Sequence, residues 1–142
     1  MATTITDWTT YAAALALTLT RMPADGCLII GASGNRFAQF TLMADVVHAE
    51  IVDDAVLAEE YRLSWDDKAR LVADGWAPPT ENSWPNWHRD VAWPARYRAF
   101  EDLSRQAVTA LHEILKVTAP SELVVQSWVN FTDGDFDVSA LT

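Results

Sequence analysis

Residues 27–52 constrain the fold most tightly, because apolar side chains recur there with a period of two and turn-forming residues interrupt them twice. Residues 27–31 are a continuous apolar run. After Ala32-Ser33-Gly34-Asn35, the residues Ala38, Phe40 and Leu42 alternate with Gln39 and Thr41. Ala44-Asp45 is short enough for a second tight turn, after which Val47, Ala49 and Ile51 share one side and His48 and Glu50 the other. Successive side chains of a strand point to opposite faces, so this pattern predicts three consecutive antiparallel strands, a meander. Gly34-Asn35 suits a hairpin turn, which needs positive φ. One face of such a sheet is apolar and needs a cover.

Flanking segments read as that cover. Thr6 or Asp7 can cap a first helix in which Trp8, Tyr11, Ala12, Leu15 and Leu19 fall on one face; Pro23 and Asp25-Gly26 end it. Ser64 with Asp67 resembles a capping box, and Asp74-Gly75 supplies the stop of a short second helix expected to carry Trp65, Ala69 and Val72 inward. Pro78, Pro79, Trp84, Pro85, Trp87, Trp93 and Pro94 crowd the next stretch, which is expected to be an irregular loop throughout. The longest helix starts near Pro94, with Phe100, Leu103, Ala107, Leu111 and Ile114 as its apolar stripe, and Pro120 closes it. Residues 123–129 suit a last strand, and 133–142 read as an acidic tail that frays. The expectation is one α+β domain over residues 1–132 and a tail over 133–142.

A chain of 142 residues, half of them apolar, buries about two-thirds of its unfolded surface, enough for one core. Its 20 acidic residues outnumber 10 Lys and Arg, giving a net charge of −10. That balance opposes attraction to phosphate backbones and anionic lipid surfaces, so neither nucleic acid nor membrane is an expected partner. The apolar run 11–19 is far shorter than a bilayer span and lacks a basic region before it, which points to a cytoplasmic protein. The single Cys27 cannot form an internal disulfide, and its apolar setting suits a buried thiol acting as a small hydrophobe.

No motif specifies a reaction. Gly31-Ala32-Ser33-Gly34 lacks the second Gly of a nucleophile elbow, where Asn35 stands, and lacks the Gly-Lys pair of a phosphate loop. His48-Ala49-Glu50 matches half of the zinc-deaminase pattern without its paired cysteines, so His48 and Glu50 are read as the polar side of a strand. His88 and His112 are isolated and read as surface residues. Asp133, Asp135 and Asp137 lack the closing Glu of a calcium loop. Asn130-Phe131-Thr132 is a formal glycosylation sequon without an export signal to make it useful. No catalytic, metal or cofactor residue is therefore assigned; a dispersed enzyme site would have only Ser33, His48 and Glu50 to draw on.

Two features suit partner binding. Asp45, Glu50, Asp53, Asp54, Glu59, Glu60, Asp66 and Asp67 are opposed only by Arg62, a balance fit for a basic partner. Trp84, Trp87 and Trp93 fall close to Arg89, and Trp and Arg are the residue types that anchor interfaces; these four are the candidate contacts. Loop tryptophans equally serve to pin a long connection onto the core.

The strings Asp74-Gly75-Trp76-Ala77-Pro78-Pro79 and Pro85-Asn86-Trp87-His88-Arg89, followed by a long amphipathic helix and Pro120-Ser121-Glu122-Leu123, carry a family resemblance. The chain resembles the actinobacterial TY-Chap domains, named for their similarity to type III secretion chaperones and YbjN proteins. The resemblance spans the first helix through Leu123. It implies an α+β sandwich: a first helix, a three-stranded meander, further helices, and a long helix packed on the sheet. It also implies binding of a protein or peptide client without catalysis, often by a homodimer. The alternative is an acidic inhibitor or immunity-type protein that covers a basic site on its partner.

Overall fold

Asp7 starts the first helix, its carboxylate accepting the Thr10 N–H at 2.8 Å, and α1 runs from Trp8–Thr20. The computed structural model describes residues 3–142. Then follow β1 (Gly26–Ala32), β2 (Arg36–Met43), β3 (Val46–Ile51), α2 (Trp65–Ala73), β4 (Trp87–Ala92), α3 (Tyr97–Thr109) and β5 (Val124–Val129). The last turn of α3 widens into a π-helical turn, Ala110–Ile114. Every sheet pairing is antiparallel, in the order β4-β3-β2-β1-β5.

The meander forms as its alternation requires, and its turns adopt the left-handed conformations that tight hairpins need. Gly34 (φ 77°) and Asn35 (φ 61°) make the first turn and Ala44 (φ 48°) the second. Gly34 also has no room for a side chain, because a Cβ there would come within 2.5 Å of the Tyr61 ring. The helix-side face carries Leu28, Ile30, Ala38, Phe40, Leu42, Val47, Ala49 and Ile51, all buried, against Tyr11, Leu15 and Leu19 of α1 and Phe100, Leu103 and Ala107 of α3.

Three expectations are corrected. The sheet has five strands, because part of the Trp- and Pro-rich stretch is the regular strand β4. Its prolines lie outside the strand at Pro85 and Pro94, leaving every N–H of Trp87–Ala92 available to the ladder with β3. The outer side of β4 also meets Ala77 in a one-residue bridge to His88.

The second correction concerns α2, which turns Leu71 inward, fully buried, while Trp65 is 89% and Val72 55% exposed. A helix of nine residues pinned by Leu71 and by the buried Trp76 just beyond its end cannot present the Trp65 face as well. Its capping box is complete, with Ser64 Oγ accepting the Asp67 N–H and the Asp67 carboxylate accepting the Ser64 N–H, both at 3.0 Å.

Thirdly, residues 133–142 do not fray. Val129 N–H donates to the Gly134 carbonyl, Arg21 pairs with Asp137, and Leu141 is fully buried beside α1, apolar area outweighing the acidity around it. His48 lies on the polar side of β3 as expected and is yet only 2% exposed; its cover is described next.

Candidate functional site

The helices pack on one side of the sheet, and strand register orders the other side into rows. One row crosses all five strands as His88, Glu50, Gln39, Ile29 and Gln126. The next crosses as Asp90, His48, Thr41, Cys27 and Trp128. Apolar positions flank these two polar rows: Ala92, Val46 and Met43 on one side, Phe37, Gly31 and Val124 on the other. None of these positions holds a Lys or Arg, and the carboxylates among them are those of Glu50 and Asp90.

Most of this face is half-buried or exposed, as expected of a sheet surface without a helix on it. At the β5 end a hollow of about 370 Å³ is lined by Ile29, Phe37, Glu122, Val124 and Gln126. Beside it β5 is an edge strand, paired with β1 alone; residues 134–135 reach only its far half, through Val129 N–H to Gly134 O and Ser127 Oγ to Asp135. Cys27 is buried here as expected, although on the open side of the sheet, where Asn130 Nδ2 donates to its sulfur at 3.2 Å and Thr41 Oγ1 lies 3.5 Å away. Asn130 is in turn held by Trp128 Nε1 at 2.9 Å.

At the β4 end the face is roofed by a loop. Trp84 stacks on His48 with ring centroids 3.9 Å apart, and His88 lies within 6.0 Å of both rings. Beneath it His48 Nδ1 meets Asp90 Oδ1 at 2.6 Å, while Nε2 is buried without a hydrogen-bond partner, 3.8 Å from Glu50 Oε2. A carboxylate only accepts, so Nδ1 carries the hydrogen. Glu50 is held by Asn86 Nδ2 at 3.3 Å, and His88 Nδ1 faces the Asn86 carbonyl at 3.0 Å. Sequence reasoning missed Asn86 and Asp90; the only signal was their place in and beside the Pro85-Asn86-Trp87 string. Ser33 is not brought to His48 and Glu50: it sits in the β1–β2 turn, its hydroxyl accepting from Arg36. Among the described residues no three His, Cys, Asp or Glu side chains are placed to hold a metal ion.

The four candidate contacts do not share one surface. Trp84 is on the open face. Trp87 is 4% exposed in the core on the helix side, its Nε1 donating to Asp53 Oδ1 at 3.0 Å, so its ring is not available to a partner. Arg89 lies over Trp76, guanidinium carbon 5.6 Å from the ring centre, and Trp93 meets Phe100 edge-on at 5.6 Å. Of these three, Trp87 is buried, while Arg89 and Trp93 are half-buried.

The acidic stretch is likewise used internally. Asp53 holds Trp87 and Asp54 accepts from Leu63 N–H and Lys68, while Asp67 completes the α2 cap. Glu59, Glu60 and Asp66 remain exposed.

A five-stranded antiparallel sheet with helices on one side and an ordered, open second side is a chaperone-like α+β architecture. A family model described as T3SS (YopN, CesT) and YbjN peptide-binding chaperone 3, TY-Chap3, matches residues 1–129, and the chain belongs to that family. No curated protein and no solved structure matches it. Among the described residues no helix is long and apolar enough to cross a membrane.

Proposed function

We propose that the protein is a non-catalytic, chaperone-like domain that holds an extended segment of a client protein on the open side of its sheet. One observation carries this reading: the chain covers one face of the sheet with helices and leaves the other with two polar rows flanked by apolar positions, next to a β5 edge that residues 134–135 cover only at its far half. Such an edge offers main-chain hydrogen bonds to an added strand, and the hollow beside it receives alternate side chains. Of the four candidate contacts, Trp84 is the one the reading keeps.

The reading includes a cytoplasmic location and a homodimer, for which Phe131 at 95% exposure and Trp65 at 89% supply uncovered apolar surface. The alternative of an acidic inhibitor is less favoured, since half of the acidic stretch serves caps and buried hydrogen bonds.

A photo-crosslinking amino acid placed at Gln39 or Gln126 tests the proposal in cells. Capture of a client chain from these positions, and none from Glu101 on the exposed side of α3, is the expected result. The reverse pattern would move the binding surface to the helix layer.

A further inference from the structure

Building on the open face as the client's seat, we propose that the notch between His48 Nε2 and Glu50 Oε2 receives an arginine side chain of the client. The two atoms face each other across 3.8 Å. The hydrogen on His48 Nδ1 is bonded to Asp90 and leaves Nε2 without a hydrogen-bond partner; Glu50 presents an acceptor at Oε2, because its Oε1 already accepts from Asn86. A ring nitrogen on a side chain 2% exposed and a carboxylate oxygen on one 13% exposed thus face each other across a gap too wide for a hydrogen bond, and the nitrogen is buried without a partner. A donor between them satisfies both.

A guanidinium supplies that donor in the most suitable form. Its planar fork offers several N–H groups in fixed directions and can engage two acceptors at once, with charge assistance from the Glu50 carboxylate. Trp84, stacked on His48, covers the notch, and repacked beside a bound cation such a ring gains further attraction. The surroundings agree in charge: Glu50 and Asp90 bring carboxylates to the two polar rows, and no Lys or Arg stands at a position of those rows to compete.

Access requires Trp84 to give way, and the hydrogen bonds of its backbone stay within its own turn. Trp84 is held locally by Thr80, its carbonyl accepting the Thr80 N–H at 2.8 Å and its N–H donating to Thr80 Oγ1 at 3.0 Å. The Thr80–Trp84 turn can therefore tilt as a unit while Asn86 keeps Glu50 in place.

Two synthetic peptides test the proposal on the full chain: acetyl-Ser-Val-Thr-Arg-Thr-Val-Ser amide and its twin with citrulline for arginine, which keeps the shape and removes the charge. Calorimetry gives each affinity, and amide hydrogen exchange maps where each peptide protects. The expected result is an arginine peptide bound about tenfold more tightly than its twin. In Glu50→Gln, checked for an unchanged melting temperature, the two affinities should converge. Equal affinities in the native protein, with β1 and β5 protected by both peptides, would overturn the arginine seat and leave the open face standing. Protection confined to α1 and α3 would overturn both readings. Stabilisation by zinc chloride that Glu50→Gln abolishes, without any preference for arginine, would make the notch a metal seat instead.

Discussion

Arg36, near the start of β2, donates from Nη1 to the carbonyl of Leu115 at 3.2 Å, tying the hairpin to the end of the long helix 79 positions away. The same nitrogen reaches the Lys116 carbonyl at 3.0 Å, Nε reaches Ser33 O at 2.8 Å, and the guanidinium lies 3.9 Å from the Tyr61 ring centre. A buried cation thus closes the C-terminal carbonyls of a helix, where positive charge is favoured. Lys cannot reproduce the fork. Arg36→Lys should cost about 3 kcal/mol of stability, read from the urea midpoint at unchanged m-value.

Trp87 and Trp84 should separate stability from binding. Trp87→Ala removes a ring that is 4% exposed and leaves Asp53 without its indole partner. The expected loss is about 4 kcal/mol, by thermal or urea unfolding. Trp84→Ala removes a half-buried ring and should cost about 1 kcal/mol, while changing the affinity for an arginine-bearing peptide. Equal destabilisation by the two would show Trp84 to be a second core anchor.

Tyr11 sets an alkaline limit. Its hydroxyl is buried without a partner, and desolvation raises its pKa well above the ordinary 10.0. The folded state therefore holds this proton more tightly than the unfolded chain. Its contribution is complete below pH 10.0 and falls as pH rises above that value. Tyr11→Phe should flatten the alkaline limb of stability against pH. At neutral pH it should leave stability equal or about 1 kcal/mol higher, since an unsatisfied polar group is removed.

The acid side involves Glu122. Its carboxylate accepts the N–H groups of Ala119 and Thr118 and lies 3.7 Å from Arg36; the Ala119 bond is the largest cause of a pKa below the ordinary 4.5. A depressed pKa contributes stability that is present above 4.5 and lost as pH falls through the folded value. Glu122→Gln should reduce the drop in melting temperature between neutral pH and acid below that window.

Ala44 occupies a left-handed turn position at φ 48°, where a Cβ is strained. Ala44→Gly should raise stability by about 0.5 kcal/mol, relief of strain exceeding the entropy glycine adds to the unfolded chain. Gly34→Ala, placed against Tyr61, should lower it; both effects are measurable as shifts in thermal midpoint.

The meander, α1 and the capping box of α2 were legible because each is written in local pattern: alternation between Ala38 and Ile51, a carboxylate three residues before Thr10, and Ser64 with Asp67. β4 was not, although its alternation is present, because Arg89 occupies a helix-side position that reads as polar until Trp76 is brought beneath its guanidinium. His48 was assigned to the correct face, but its burial there was not legible. Its cover is Trp84, a partner 36 residues later that no local period encodes. Trp65 failed in the opposite sense: the spacing of Trp65, Ala69 and Val72 writes an apolar stripe that α2 leaves uncovered.

The bridge between Ala77 and His88 gives the sheet a polarity of growth. With β4 partly closed on its outer side and β5 covered only at its far half, the near half of β5 is the edge at which a further strand can add, and a strand edge takes only one neighbour. Self-association through β5 and strand addition by a client are then mutually exclusive. A dimer built on that edge would release its client site only by dissociating, so client saturation would track the monomer concentration.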